Sequence, residues 1–265
     1  MTGPARRPTG GTRTIALDGL PNVRDCGGLL GPGGTRLRRG ILLRGPAPSP
    51  HTAPALSEVG VRTVVDLRHP SERAQEDGPG RMNARVLRRP VHGDVTRIRG
   101  VRRPAPSVYL DNYRDMLGMA APVAAEVIGL LADPDTAPLY VCCTVGKDRT
   151  GVISALVLRG LGIRLADVTN DYALTGRAYR ALRPDDPRPD WTYTYALDDL
   201  TARTASPRWI MHSLLTAVER EHGDTRALLE RHGLSRATWQ EAVRQVFEQL
   251  ESERQEEAEG LGEEG

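Results

Sequence analysis

Residues Leu139–Gly151 read L-Y-V-C-C-T-V-G-K-D-R-T-G. The fold is decided by how that run changes character along its length. Leu139–Cys142 is short, apolar and β-prone, and it follows a proline-bearing loop, so a buried strand is expected there. Residues 144–148, T-V-G-K-D, interrupt the apolar character and include Gly146. Gly151–Leu161 is strongly apolar at helical spacing and is expected to be a buried helix. A strand, a tight loop and a buried helix in succession are a unit of an α/β domain.

The same run carries chemistry. It sets Cys143 at a strand end and Arg149 at a helix start, with five residues between them. Backbone N–H groups of a tight loop entering a helix converge on an anion, and the helix dipole adds positive potential there. A thiol seated at that focus ionises readily. Arg149 presents a planar fork suited to two phosphoryl oxygens. Cys143 is then placed to attack phosphorus and form a phosphocysteine. Gly146 lets the loop turn without a side chain blocking the anion, and Thr144, Val145 and Lys147 complete the loop around it. Thr150 is a candidate hydrogen-bond donor to the departing sulfur. Asp148 is the nearest carboxylate able to protonate a leaving oxygen and then activate water, and Asp94 competes for that role. A nucleotide-binding Gly-rich loop is excluded because Gly146-Lys147 is followed by Asp148 rather than Ser or Thr. A zinc site is excluded because the adjacent cysteines lack C-x-x-C spacing and no paired His accompanies them.

Outward from this run, Val61–Leu67 reads as a buried strand and Arg85–Val91 as a weaker one. Val108–Leu117, Pro122–Leu131 and Leu165–Ala178 have helical spacing. Residues 183–208 hold four prolines and are expected to be a loop, with Trp191, Tyr193 and Tyr195 suited to cover a site. Arg208–Glu221, Thr225–His232 and Arg236–Leu250 form a helical C-terminal group. Gly223 and Gly233 stop helices there, and Ser235 is a good N-cap. The expectation is an α/β fold: a short, mainly parallel sheet flanked by helices, plus that helical group. It is one domain over residues 14–250, between a disordered tail at 1–13 and an acidic disordered tail at 251–265.

Composition narrows the function classes. In 265 residues, 39% hydrophobic and 26% charged, a sizeable core can form. A net charge of +2 argues against a nucleic-acid binder. No run approaches the length of a membrane span. Three cysteines, two of them adjacent, make a poor disulfide framework, so a reducing cytoplasm fits best. Of 36 basic residues, Lys147 alone is lysine. A chain that uses arginine everywhere else keeps this lysine for chemistry.

Six blocks in order resemble a known family. C-T-V-G-K-D-R-T-G is similar to the H-C-x-A-G-K-D-R-T-G loop of the bacterial tyrosine-phosphatase-like family. Asn22–Leu29 (NVRDCGGL) resembles its N-F-R-D-L-G-G-Y. Arg39–Arg44 (RGILLR) resembles R-x-G-x-L-x-R-S, and Val64–Arg68 with Glu72 resembles D-L-R-x-x-x-E. Leu161–Tyr172 and His232–Ser235 match two later blocks, so the likeness covers about residues 15–250. The resemblance implies a dual-specificity-type phosphatase fold, Cys143 as nucleophile, Arg149 as phosphate clamp and Asp148 as acid/base. The expected reaction is hydrolysis of a phosphomonoester through a phosphocysteine, with no metal or other cofactor. The resemblance also implies that Lys147 favours extra negative charge on the substrate. The partner is a phosphorylated protein or a small phosphorylated substrate. The alternatives are a lipid or small-molecule phosphatase, a phosphate-binding pseudophosphatase, and, more weakly, a rhodanese-like sulfur transferase. Arg24 and Asp25 line the site or brace it; Asp66 and Arg68 sit at a strand's C-terminal end, where ligands approach in α/β sheets. The sequence departs from the family at Cys142 (His), Val145 (Ala) and Gly45 (Ser). Cys142 also invites a redox reading, in which it traps an oxidised Cys143 as a vicinal disulfide.

Overall fold

The run that opens the sequence reading lies at the middle of a five-stranded sheet. The computed structural model describes residues 12–73, 77–93, 101, 103–187, 192 and 195–249. Strand β6 (Leu139–Cys143) is flanked by β3 (Leu42–Pro46) and β4 (Thr63–Asp66), both parallel to it. Next to β4 runs β5 (Arg85–Arg88), also parallel, and next to β3 runs β1 (Arg24–Asp25), antiparallel, giving the order β1-β3-β6-β4-β5. The three central strands are covered on both faces, and every residue in them is buried. The register pairs Cys143 with Pro46 and Cys142 with Asp66. The segments that leave β3, β4 and β6 therefore gather at one end of the sheet.

Alternation along β6 divides the core in two. Leu139, Val141 and Cys143 join the larger cluster, and Tyr140 and Cys142 face the smaller one with Leu43 and Val64. Helix α1 (Ala53–Glu58) closes the smaller side through Ala53 and Leu56. The larger side is covered by α3 (Pro106–Asp115), α4 (Leu117–Leu131), α5 (Asp148–Gly160) and α6 (Leu165–Arg180), and by α8 (Arg208–His222), α9 (Thr225–Arg231) and α10 (Arg236–Val246). On α5, Val152, Ile153, Leu156, Val157 and Leu158 are all buried. At about 1.5–3 kcal/mol per buried aliphatic side chain, that helix is anchored by its apolar faces. Helix α2 (Pro70–Arg73) is a single turn following β4.

Four sequence expectations change. Residues 183–208 are not all loop: α7 (Leu197–Thr204) forms there, with Asp198 and Asp199 in its first turn and Leu200 buried beneath it. Proline density misled because all four prolines lie outside Leu197–Thr204. The last helix stops at Val246. Phe247–Gln249 is a strand, β7, paired antiparallel with β2 (Thr35–Leu37). Packing overrides periodicity there, since the Phe247 ring fills the space beside Gly31, where a Cβ would lie 2.4 Å from it. Helix α4 begins five residues before Pro122, which lies inside the helix and removes one donor from its ladder. Helix α5 begins at Asp148, so both Asp148 and Arg149 belong to its first turn. Residues 1–11 and 251–265 lie outside the described residues, whereas Arg13, assigned to the tail from sequence, is bound to the body of the protein as described below.

Two glycines let the 144–147 loop sit close on β3. Gly146 has φ +70°, and a Cβ there would lie 2.4 Å from the carbonyl carbon of Gly45. A Cβ on Gly45 would lie 2.4 Å from Tyr140 Oη, which itself donates to the Pro46 carbonyl at 2.6 Å. The replacement of the family's Ser by Gly45 is thus accommodated by a tyrosine filling the same volume. Gly45→Ala is expected to lower the unfolding free energy by about 1–3 kcal/mol through overpacking. Urea unfolding checks it; an unaltered midpoint would show that Tyr140 moves aside freely.

Candidate active site

Cys143 ends β6, residues 144–147 turn, and Asp148 starts α5. The loop is polarised. Its outward carbonyls are taken: Val145 O accepts from Tyr179 Oη at 2.9 Å and from Asn22 Nδ2 at 3.4 Å. Gly146 O accepts from Asn22 Nδ2 and from Arg44 Nη2, each at 3.2 Å. Among the described residues, the N–H groups of Thr144, Val145, Gly146 and Lys147 find no acceptor. The first N–H groups of α5 are unpaired within the helix by construction. Carbonyls bound on one side and amides free on the other make an anion-binding concavity.

Arg149 returns from the first turn of α5 to the start of the loop. Its Nη1 and Nη2 donate to the two carboxylate oxygens of Glu72 at 2.6 and 2.7 Å, and Nη2 also reaches Thr144 Oγ1 at 3.2 Å. Thr144 Oγ1 donates to Glu72 Oε1 at 2.6 Å, and the His69 amide donates to Oε2 at 2.8 Å. Burial alone would raise the Glu72 carboxyl, but the bonds and charge of Arg149 outweigh it and bring it down to about 2. The same pair pushes the Arg149 guanidinium up.

Asp148 Oδ1 accepts from Tyr113 Oη at 2.6 Å, and Lys147 Nζ stands 3.5 Å from the same oxygen. Lys147 is fully enclosed. Its ammonium donates to the Arg203 carbonyl at 2.7 Å and lies 3.4 Å from the centroid of the Tyr109 ring. Burial pushes its pKa down, against the pull of Asp148. Its charge therefore acts from behind Asp148 rather than from the wall of the concavity. The hydroxyl of Thr150 is buried and has no partner among the described residues.

Of the other residues singled out from sequence, Arg24 supports the loop and the rest serve elsewhere. Arg24 donates through Nε to Asp171 Oδ1 at 3.1 Å and also binds Asn22 Oδ1. Arg44 binds Asp171 Oδ2 at 2.9 Å and Arg13 binds Oδ1 at 2.9 Å. Three guanidiniums hold the Asp171 carboxyl well below the usual range, although burial works the other way. Asp25 does not reach the concavity: its oxygens accept from the amides of Gly27 at 2.7 Å and Gly40 at 2.8 Å. Burial pushes its carboxyl up against those amides. Asp66 and Arg68 pair with each other at 3.0 Å at the top of β4. Tyr109 and Tyr113 are buried, with hydroxyls turned to the Arg203 carbonyl and Asp148. Asp94 and Trp191 lie outside the described residues. Asp171, Arg44, Asn22 and Tyr179 were not singled out from sequence, although the first three lie inside the family blocks.

The vicinal disulfide is overturned by alternation: the side chains of Cys142 and Cys143 enter different clusters on opposite faces. Cys26 shares the face of Cys143, but it lies beside Leu42, four residues down β3 from Pro46, the partner of Cys143. That is about 13 Å along the strand, beyond disulfide reach.

Cys143 is thus a buried residue at the end of β6, followed by a loop whose amides are free among the described residues and by an arginine that reaches back to Thr144. The tyrosine phosphatase family matches residues 15–248, and the chain belongs to it. H16_A0669 of Cupriavidus necator, an inferred tyrosine-protein phosphatase by name, is 32% identical over 181 residues, 64% of this chain and 65% of that protein. A tyrosine-protein phosphatase of Nostoc commune is 28% identical over 142 residues, 50% of this chain and 46% of that protein. The chain thus spans less than two thirds of the length of these curated relatives. Among solved structures, a variant of TpbA of P. aeruginosa in complex with pTyr is 17% identical with a TM-score of 0.32, covering 68% of this chain and 90% of TpbA. The catalytic core of the PP-IP phosphatase SIW14 of S. cerevisiae is 14% identical with a TM-score of 0.34, covering 74% and 96%.

Two measurements test the supports. Asp171→Asn leaves two buried guanidiniums and the partly exposed one of Arg13 facing one another and is expected to cost about 3–5 kcal/mol of stability, read by urea unfolding; a loss under about 1 kcal/mol would mean that the arginines are balanced elsewhere. For Glu72, the folded-state carboxyl is lowered from 4.5 to about 2. Its stabilisation is therefore present above pH ~4.5 and is lost as pH falls through about 2. The stability gap between wild type and Glu72→Gln should shrink over that window. A gap constant from pH 6 to pH 2 would contradict the ion pair.

Proposed function

We propose that this chain is a cysteine-dependent phosphatase that hydrolyses phosphomonoesters through a phosphocysteine at Cys143. The observation that carries the reading is the polarised loop: carbonyls of Val145 and Gly146 held outward, amides of 144–147 left free, and Arg149 returned across to Thr144. Substrate phosphate binds those amides and the Arg149 fork, which must then be shared with or released from Glu72. The Cys143 sulfur attacks phosphorus, an S–P bond forms and the ester P–O bond breaks. Asp148 gives its proton to the leaving oxygen, releasing the alcohol. In the second step Asp148 takes a proton from water, the oxygen attacks phosphorus, and the sulfur departs as thiolate. Thr150, buried and unpartnered, is the available donor to that sulfur. No step calls for a metal.

Membership of the tyrosine phosphatase family and the names of the sequence relatives support phosphotyrosine on a protein as the substrate class. Three free cysteines, and no helix long and apolar enough to cross a membrane among the described residues, agree with action in the cytoplasm. Turnover of phenyl phosphate by the wild type is expected to be abolished in Cys143→Ser and lowered about 10²–10⁴-fold in Asp148→Asn. Equal, negligible turnover by wild type and Cys143→Ser would instead indicate a phosphate-binding protein without activity. Phosphotyrosine peptides are expected to outperform phosphoserine peptides, phosphoinositides and sugar phosphates; a preference for one of the latter would reassign the substrate class.

A further inference from the structure

We propose that Tyr113, backed by Tyr172, is a positioning residue that ties down Oδ1 of Asp148 and leaves Oδ2 to exchange the proton with substrate and water. The inference rests on the reading of Asp148 as acid/base, and deepens it. Tyr113 Oη lies 2.6 Å from Asp148 Oδ1 and 2.8 Å from Tyr172 Oη. A phenol has one proton. Tyr113 spends it on the carboxylate, so Tyr172 must donate to Tyr113, and the relay runs one way, Tyr172 to Tyr113 to Asp148. Lys147 Nζ stands 3.5 Å from the same Oδ1. Oδ2 has no partner among the described residues, and Asp148 is the partly exposed member of the group while Tyr113 and Tyr172 are buried.

The geometry is rigid. Tyr113 comes from α3, Tyr172 from α6 and Asp148 from the start of α5. The two rings meet edge to face with centroids 6.2 Å apart, so neither hydroxyl can turn away without repacking three helices. Burial, with the charge of Asp148 behind it, pushes the Tyr113 hydroxyl well above its ordinary pKa, which keeps it a donor. A carboxylate lacking this tie would rotate about its terminal torsion and offer either oxygen. Held through Oδ1, it presents Oδ2 alone.

The bond also acts on the reaction coordinate. While Asp148 is protonated on Oδ2, Oδ1 is a weak carbonyl acceptor. As the proton passes to the leaving oxygen, negative charge grows on the carboxylate and the Tyr113 bond strengthens. An interaction that strengthens toward the transition state speeds the step. Its loss should therefore be felt most with esters whose leaving oxygen most needs a proton, and least with nitrophenolate, which leaves readily without one.

The test compares phenyl phosphate with p-nitrophenyl phosphate for wild type, Tyr113→Phe, Tyr172→Phe and Asp148→Asn, reading kcat/KM, which reports events up to P–O cleavage. Asp148→Asn is expected to lose about 10²–10⁴-fold on phenyl phosphate and far less on the nitrophenyl ester. Tyr113→Phe is expected to lose about tenfold more on phenyl phosphate than on the nitrophenyl ester, as for a charge-assisted hydrogen bond. Tyr172→Phe should lose in the same sense by a smaller factor, and it decides the matter if Tyr113→Phe does not fold. Equal losses on both esters in the tyrosine variants, beside a selective loss in Asp148→Asn, would overturn the relay and keep the acid/base reading. An Asp148→Asn variant with no leaving-group selectivity would overturn both.

Discussion

The end of the sheet that carries the loop is organised by one buried carboxylate. Asp171 faces Arg13, Arg24 and Arg44, all three within 2.9–3.1 Å and none well exposed. One negative charge cannot balance three positive ones, and in a low-dielectric interior the surplus is felt at range. Arg44 records the strain: burial, with Arg24 adding to it, lowers its pKa to about 10. Water cannot relieve the surplus, but peptide dipoles can. Arg44 spends Nη2 on the Gly146 carbonyl, and Arg24 orders Asn22, whose amide binds the carbonyls of Val145 and Gly146.

That arrangement explains why the loop is polarised in one sense. Each peptide unit turned so that its oxygen meets the arginines below has its N–H turned the other way. Positive charge beneath the loop and positive peptide ends above it therefore come from the same cause, and the α5 dipole adds a third contribution. The concavity is built to want an anion before any substrate arrives. Glu72 shows the same preference from the side: it accepts from Arg149, Thr144 and the His69 amide together. It also fixes Arg149 in an orientation in which both ends of its fork are engaged. Asn22 adopts φ +75° to reach its position, a backbone state that asparagine tolerates better than most residues.

Much of this was legible in the sequence because the local patterns are strong. The strand at Leu139–Cys143, the glycine at the loop crown and the arginine in the first turn of α5 depend on neighbours in the chain. Their placement follows from periodicity and spacing. The supports depend on residues far apart: Arg24 and Arg44 meet Asp171 across 147 and 127 positions. Charge in a sequence does not disclose its partner, so Asp66 and Arg68 and Arg24 and Asp25 looked alike, as polar residues at strand ends. Only packing separates them. Asp25 closes two turns, Asp66 and Arg68 close on each other, and Arg24 alone bears on the loop. Strand β7 and helix α7 were missed for a related reason. Each is held by a tertiary contact, the Phe247 ring beside Gly31 and the Arg203 carbonyl on Lys147, rather than by a repeating pattern.

The cysteine that stands where the family has histidine can be understood on the same terms. Cys142 and Cys143 are neighbours in the chain but belong to different layers, since a strand sends successive side chains to opposite faces. Cys142 packs with the smaller cluster, and burial, with Asp66 beside it, pushes its thiol well above the ordinary value. It is a neutral, space-filling side chain, and it offers the loop neither a charge nor a strong hydrogen bond. Whatever ties hold the loop here must come from other directions. They do: Tyr179 and Asn22 hold the Val145 carbonyl, Asn22 and Arg44 hold that of Gly146, and Tyr140 holds that of Pro46 on the strand beneath. A histidine at position 142 could reach only the layer that Cys142 reaches, so its replacement removes a polar group from the far face of the sheet and leaves these ties to the loop in place.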